Sequence, residues 1–394
     1  MDIRDIRKAA EVIGDFAHKT PLVYSNSFSA MTGAEVYLKA ENLQKTGSFK
    51  VRGAFYKLSS IGNKNVIAAS MGNHAQGVAY AASKLGIHAK IVMPLSASIV
   101  KQEATKGYGA ELILHGESFQ EAVRYARSQE GHVFIHAFDD EKIIAGQGTV
   151  GLEIAGELKD IDAIIVPVGG GGLISGIAVA VKELSPRTEI IGVQTASAAS
   201  AYKSFMNKKI EESVPSSTLA DGIAVGKVGE ITFGIIGKYV DDIMLADEDP
   251  IAKAMLLFLE RKKLVVEGAG AVPLAALMDC KERFRGKRVV LVVSGGNIDF
   301  TLIDRIIHKG LVSSGRIGVF EVTVDDVPGQ LHTLTGIIAG QRGNIHTIDH
   351  DRLSPGLSAV QTKVVFTVES RGKEHVAEII SAIRVKGFAV RSIP

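Results

Sequence analysis

The sequence predicts an α/β protein with parallel sheets covered on both faces, followed by a smaller ferredoxin-like module at its C-terminal end. Three observations carry this reading: a strand–turn–helix unit repeated from about Val66 onward, a change of pattern after about Leu311, and a complete βαββαβ series beyond it. In order, VIAAS precedes helical spacing from Ala75 to Leu85, AKIVMP precedes Ile99 to Lys106, AELILHG precedes Phe119 to Arg127, and HVFIHAF precedes Ile143 to Leu158. DAIIVPVG then leads to a helix from about Leu173, EIIGVQT to a less regular segment, and KRVVLVVSGG to a helix from Asp299 to His308. Each run is short and apolar, and each partner carries apolar residues three and four apart. Such alternation places ligands at the C-terminal ends of the strands.

VSSGRIG is a polar, Gly-containing stretch of the kind that joins domains, so the expected division is a first domain over 1–310, a linker over 311–316 and a module over 317–394. Within the module, RIGVFEVTV, QLHTLTGIIAGQ, NIHTIDHDR, AVQTKVVFTVES, KEHVAEIISAIRV and GFAVRSI supply the six elements of βαββαβ.

Composition narrows the function classes. The 394 residues exceed one typical domain, and 46% hydrophobic with 22% charged residues is the balance of a folded globular chain. The formal net charge of +2 comes from mixed acids and bases with no basic stripe, which points away from nucleic acid and from an anionic membrane. Cys280 is the single cysteine, which excludes an internal disulfide and a cysteine metal cluster; it reads as a small apolar residue on a helix. MDIRDIRKAAEVIG lacks the apolar centre of a signal peptide, and no later stretch reaches about 18 uninterrupted apolar residues. The expected location is the cytoplasm.

Four segments carry chemistry. In ENLQKTGSFKVRGA, Lys50 follows Ser48 and Phe49 at the start of a helix, with Gly47 giving the chain room to turn; taken alone, such a lysine reads as a solvated surface charge. In SMGNHAQGVA, a strand, a tight turn and a helix start expose N–H groups suited to a carboxylate or phosphate. Asn73 in that turn is either a ligand or a helix cap, and His74 either a ligand or a packed turn residue. In VPVGGGGLISG, the glycines from Gly169 to Gly172 form a nest of N–H groups for a phosphate. The dinucleotide pattern G-x-G-x-x-G is not met, and Gln194 stands where an acid would bind a ribose, so a monophosphate fits better. In VVLVVSGGNID, Ser294 is either a hydroxyl offered at a strand end or a plain turn serine.

In combination and order, S-F-K-x-R-G, G-N-H-A-Q-G, G-G-G-G-L and S-G-G-N resemble the fold-type II pyridoxal-phosphate enzymes, in the threonine dehydratase and serine racemase branch. The resemblance covers roughly residues 5 to 310 and implies two parallel-sheet lobes, the smaller one, about 43–140, inserted in the larger. It implies pyridoxal 5'-phosphate as cofactor, held by Lys50 beside Phe49, with Asn73 on the ring hydroxyl, Ser294 on the ring nitrogen, and Gly169, Gly170, Gly171, Gly172 and Leu173 around the phosphate. By the same likeness Ser70, Met71, Gly72, Asn73 and His74 receive the substrate, with Asp221 and Gly222 of L-A-D-G and Glu267 of V-E-G-A-G lining the site. The implied reaction is β-elimination of L-threonine to 2-oxobutanoate and ammonia, and of L-serine to pyruvate.

Two departures matter. Where the racemase supplies carboxylates for a divalent cation, this chain has Gln194 and Ser200, so no metal is expected. Where the racemase has a serine before the Gly-Asn turn, this chain has Met71, so racemisation is expected to be poor.

The C-terminal module resembles an ACT domain through D-D-V-P-G-Q-L and G-N-I, which implies an amino-acid effector near Asp326, Pro328, Gly329, Asn344 and Ile345. An oligomerisation module without a ligand is the alternative. A homo-oligomer, dimer or tetramer, is expected in either case. The rival functions are a serine racemase, a β-replacement synthase of the same fold, and a catalytically silent amino-acid sensor; Lys50, Asn73 and Ser294 together argue against the last.

Overall fold

The computed structural model describes residues 1–353 and 357–393. The chain divides into two compact units, Met1–Asp299 and Phe300–Pro394. The first opens with α1 (Ile3–Ile13), β1 (Leu22–Tyr24), α2 (Asn26–Thr32), β2 (Glu35–Ala40) and α3 (Lys50–Ser59). It continues through β3 (Val66–Ala69), α4 (Asn73–Leu85), β4 (Ala89–Met93), α5 (Ile99–Gly107), β5 (Glu111–Leu114), α6 (Phe119–Ser128) and β6 (Val133–Phe134). It closes with α7 (Glu141–Glu157), β7 (Ala163–Pro167), α8 (Gly172–Leu184), β8 (Glu189–Thr195), α9 (Ser200–Asn207), α10 (Glu230–Tyr239), β9 (Asp242–Ala246), α11 (Glu248–Leu257), α12 (Gly268–Asp279), α13 (Lys281–Phe284) and β10 (Arg288–Val293).

These strands form two sheets. The larger has the order β1-β2-β10-β7-β8-β9 and the smaller β5-β4-β3-β6. Every neighbouring pair is parallel except β1 against β2, so the expected parallel sheet carries an antiparallel edge strand. Apart from the half-buried Arg288 at the start of β10 and Pro167 at the end of β7, the central strands β7 and β10 are β-branched and aliphatic residues buried on both faces, as helices on each side require. All strands of the smaller sheet fall between Val66 and Phe134, inside the interval expected for the inserted lobe.

The expected helices are present, with ends that move by a few residues. Asp140 accepts from the N–H groups of Lys142 and Ile143, which starts α7 at Glu141 rather than Ile143. α6 opens on a capping box between Ser118 and Glu121. Cys280 lies directly after α12 and is exposed, not on the apolar helix face the sequence implied. Gln194 is buried and accepts from the N–H groups of Ala201 and Tyr202, so its amide caps α9.

The second unit comprises α14 (Phe300–Ser313), β11 (Ile317–Asp325), α15 (Gln330–Gly340), β12 (Asn344–Asp351), β13 (Gln361–Glu369), α16 (Lys373–Val385) and β14 (Ala389–Ile393). Its antiparallel sheet has the order β12-β13-β11-β14, the βαββαβ pattern read from the sequence. Phe320 and Phe366 stack at 5.7 Å in a core completed by Val322, Leu334, Ile338, Ile379 and Ile383. α14 runs to Ser313, through the start of the expected 311–316 linker, because Leu311 and Val312 extend its apolar spacing; Gly315, at φ +70, turns the chain into β11. Among the described residues, no helix is long and apolar enough to cross a membrane.

Candidate active site

The first unit gathers its chemical motifs at the C-terminal ends of β3, β7 and β10, where the alternating fold places a ligand. Lys50 is the first residue of α3, and its Nζ donates to the carbonyl of Ala137 at 2.9 Å while lying 5.2 Å from the Phe49 ring. Burial pushes this amine down to about 8, with the charge of Glu267 pulling the other way. Gly77 makes this placement possible, since a Cβ there would stand 3.1 Å from the backbone of Lys50. That is one reason for the last glycine of G-N-H-A-Q-G.

The lysine segment is stitched to the end of β10. The N–H of Phe49 donates to the carbonyl of Ser294 at 3.2 Å, and Ser48 bridges Gly295. Ser294 is 2% exposed. Asn73 is not a helix cap: Gly72 occupies that position, and no side chain caps α4. Instead Asn73 Nδ2 donates to both carboxyl oxygens of Glu267, at 2.8 and 3.0 Å. Its Oδ1 accepts from Asn297 Nδ2 at 2.7 Å, and that same amide donates to the carbonyl of Thr46, also at 2.7 Å. Burial raises the Glu267 carboxyl to about 7, against the bond from Asn73.

The other expected substrate residues differ in what they offer. Ser70 Oγ accepts from the N–H of Gly72 at 3.2 Å and closes the turn. Met71 packs against the core of the smaller lobe. His74 turns inward, with Nε2 against the carbonyl of Ile135 at 3.0 Å; burial holds it down to about 3, so it is neutral and its side chain is a packing element. Asp221 is exposed and pairs with Lys101 of α5 at 2.8 Å, while Gly222 lies against Glu267.

The glycine run lies at the start of α8. No backbone carbonyl among the described residues accepts from the N–H groups of Gly169, Gly170 or Gly171. A Cβ on Gly170 would run into the Phe138 ring, and one on Gly171, at φ +95, would stand 2.8 Å from Thr232. Leu173 follows, 5% exposed, in the first turn of α8. Donors at a helix N-terminus, closely backed by other residues, suit a phosphate. Ser48 Oγ, buried and without a hydrogen-bond partner among the described residues, adds an orphaned polar atom beside Lys50. A half-buried amine, a phosphate cradle and buried polar groups between them fit a phosphorylated aldehyde cofactor.

In the second unit Gly329, at φ +96, precedes α15, with Pro328 exposed beside it. Asp326 pairs with Arg352 at 2.8 Å, Asn344 Nδ2 donates to Glu369 at 2.9 Å, and Ile345 packs into the core.

Sequence reasoning missed Asn297, although S-G-G-N was in view, and it missed Asp139, Thr232 and Lys101. Asn297 was findable because an amide at a strand end beside a ligand turn is a ready hydrogen-bonding group. The other three have ordinary local surroundings and act only through distant partners.

The family of pyridoxal-phosphate dependent enzymes matches residues 13–295, and the chain belongs to it. An L-threonine ammonia-lyase of Thermotoga maritima is 46% identical over 99% of both chains. The structure of the processed form of threonine deaminase isoform 2 from Solanum lycopersicum superposes with a TM-score of 0.74 at 36% identity, covering 78% of this chain and 91% of that one. The structure of maize serine racemase superposes with a TM-score of 0.74 at 35% identity, covering 79% of this chain and 98% of that one.

Proposed function

We propose that this chain deaminates L-threonine to 2-oxobutanoate and ammonia, and L-serine to pyruvate, with pyridoxal 5'-phosphate as cofactor. The observation that carries the reading is the half-buried Lys50 amine, its basicity lowered by desolvation and under the influence of Glu267, in a chain 46% identical over nearly its whole length to an L-threonine ammonia-lyase. When bound, the cofactor withdraws electrons from the substrate α-carbon. The residues do the rest. Lys50 Nζ holds the cofactor's aldehyde and, as a free amine with its basicity lowered toward neutrality, takes the α-proton. Gly169, Gly170, Gly171, Gly172 and Leu173 would hold the phosphate, Phe49 packs beside Lys50, and Ser294 would give the ring nitrogen a hydroxyl instead of a carboxylate.

The turn from Ser70 to His74 receives the substrate carboxylate through the N–H groups at the start of α4 and the Ser70 hydroxyl. Asn73, its amide held by Glu267 and Asn297, would meet the ring hydroxyl of the bound cofactor. Asp221 and Gly222 would line the substrate site, and the Lys101–Asp221 pair links α5 to the larger lobe. The test is direct: ammonia and 2-oxo acid are measured from L-threonine and L-serine with the cofactor-loaded protein. Absence of both products would overturn the reading.

For the second unit we propose a regulatory role, with an amino-acid effector bound near Asp326, Pro328, Gly329, Asn344 and Ile345 in a homo-oligomer. Support comes from the βαββαβ order and from Gly329 in its left-handed turn. A thermal-shift screen of amino acids against the full chain and against a chain ending at Asp299 tests this, because a ligand that binds the native state raises its stability. Equal shifts in both would place the effector in the first unit.

A further inference from the structure

The segment from His136 to Asp139, which follows β6, touches both halves of the site. The carbonyl of Ala137 accepts from Lys50 Nζ at 2.9 Å, the Phe138 ring backs Gly170, and the Phe138 backbone and Cβ back Gly172. Asp139 reaches the N-terminus of α10, where its carboxylate accepts from Glu230 N at 3.1 Å, Ile231 N at 3.0 Å and Thr232 N at 3.2 Å. The helix's own N-cap, Gly229, offers no side chain, and a Cβ there would collide with Asp139. A residue about 90 positions earlier in the chain therefore caps α10.

What α10 does with that placement is specific. Thr232, fully buried, donates its hydroxyl to the carbonyl of Gly170 at 2.7 Å. In a trans peptide the C=O and the next N–H point in opposite directions. Fixing the Gly170 carbonyl on Thr232 therefore aims the N–H of Gly171 away from α10. Without that bond, the carbonyl keeps only the longer contact from the Gly229 N–H at 3.4 Å, and two glycines that restrict φ and ψ little hold the peptide weakly.

We propose that Asp139 and Thr232 are positioning residues for the cofactor phosphate: Asp139 fixes the start of α10, and Thr232 fixes the Gly170–Gly171 peptide so that its N–H faces the phosphate. The proposal rests on the reading that the glycine run holds the phosphate. It also explains why one segment contacts Lys50 and the cradle together, since cofactor geometry depends on the distance between its two anchors.

The test compares the holoenzyme with Asp139→Ala, Asp139→Asn, Thr232→Val and Thr232→Ser by equilibrium dialysis against pyridoxal phosphate and against pyridoxal, which lacks the phosphate. Asp139→Ala and Thr232→Val should weaken pyridoxal phosphate binding about 10- to 100-fold, the scale of one lost buried or charge-assisted hydrogen bond. Asp139→Asn and Thr232→Ser, which keep an acceptor and a donor, should stay within about 3-fold of wild type. Pyridoxal binding should be the same in all five proteins. Unchanged pyridoxal phosphate affinity in Asp139→Ala and Thr232→Val overturns the proposal, as does an equal loss for both ligands, which would mean general loosening. If wild type itself binds pyridoxal as tightly as pyridoxal phosphate, the cradle reading falls first. Should Asp139→Ala fail to fold, the Thr232 pair decides alone.

Discussion

The two units solve the problem of a buried core in opposite ways. The interior of the second is almost entirely apolar: among its described residues, only Thr362 and His375 are buried polar side chains. The first buries whole charges. Arg52, 1% exposed, donates to both oxygens of Glu41 and to both oxygens of Glu153, and Lys39, 0% exposed, donates to Glu153 and to the carbonyl of Thr20. The four charges cancel, which is the condition for removing them from water. Arg52 lies two residues after Lys50 in α3, so the helix that presents the amine is held from behind by this cluster. An apolar core suffices to fold the second unit, whereas the core of the first must also hold α3 at a fixed depth.

The largest expected effect separates the units most sharply. Lys50→Ala should reduce ammonia release at least ~10³-fold and remove the cofactor's visible absorbance, because the proton acceptor and the aldehyde's anchor go together. The protein should still fold, since the phosphate cradle and both cores are unaltered. Substantial turnover in that variant would remove Lys50 from the reaction.

Next in size is a stability contrast. Arg52→Met leaves Lys39 as the one cation of the cluster for the two carboxylates Glu41 and Glu153 and should destabilise the first unit by about 3–5 kcal/mol. Ile379→Val, a trimmed methylene in the fully buried core of the second unit, should cost about 1 kcal/mol. Denaturant unfolding of both variants measures the difference. Equal losses would mean that the buried charges contribute no more than ordinary packing.

That contrast also explains what could be read from the sequence. The second unit was legible element by element, because alternation in β11 and β13 and helical spacing in α16 are local signals. In the first unit strands β3–β8 and β10 and helices α3–α8 were legible for the same reason, whereas β2, β9, α1, α2 and α9–α13 were not read, and Lys50, Asn73 and Ser294 stood out through their motifs. The partners were not. Asn73 reaches Glu267 across 194 residues and Asn297 across 224, and no periodicity encodes such a separation. Asp139 and Asp140 look alike in sequence, yet one caps α10 and the other caps α7 and pairs with Lys57. The antiparallel β1 and the continuation of α14 were missed because short edge strands and helix ends carry weak patterns.

The third effect depends on pH. Glu267 has its carboxyl raised to about 7, so burial disfavours its ionised form. A raised folded-state value means that the stability contribution is complete below the unfolded value near ~4.3 and is lost as pH rises through about 7. Above that, wild type carries a buried carboxylate. Glu267→Gln keeps the shape without the charge, so its melting temperature relative to wild type should be higher at pH 8.5 than at pH 5, by the equivalent of about 3 kcal/mol. A difference independent of pH would mean that Glu267 does not titrate in this range, and the buried-charge contrast between the units would then rest on the Arg52 cluster alone.

The smallest effect concerns which face of the site can handle a proton. The chain superposes equally well on a threonine deaminase and on a serine racemase, so the fold alone does not separate elimination from racemisation. Returning a proton to the opposite face of the α-carbon requires an acid-base group opposite Lys50. The turn between β3 and α4 offers Met71 and Ser70. Met71 packs against the smaller lobe's core, and a thioether can neither give nor take that proton. Ser70 Oγ accepts from the N–H of Gly72 at 3.2 Å, and in the proposed function its O–H goes to the substrate carboxylate rather than to the α-carbon. The expected outcome is one-faced chemistry, with D-serine formed from L-serine at a rate far below that of pyruvate. Met71→Ser places a hydroxyl in that position and should raise D-serine formation measurably, by about 2- to 10-fold, because a single imperfectly placed acid recovers only part of a general-acid contribution. Chiral analysis of products at early times checks both statements. If wild type already forms D-serine at a rate comparable with pyruvate, then Met71 is not the residue that closes this face, and the preference for a lyase over a racemase falls with it.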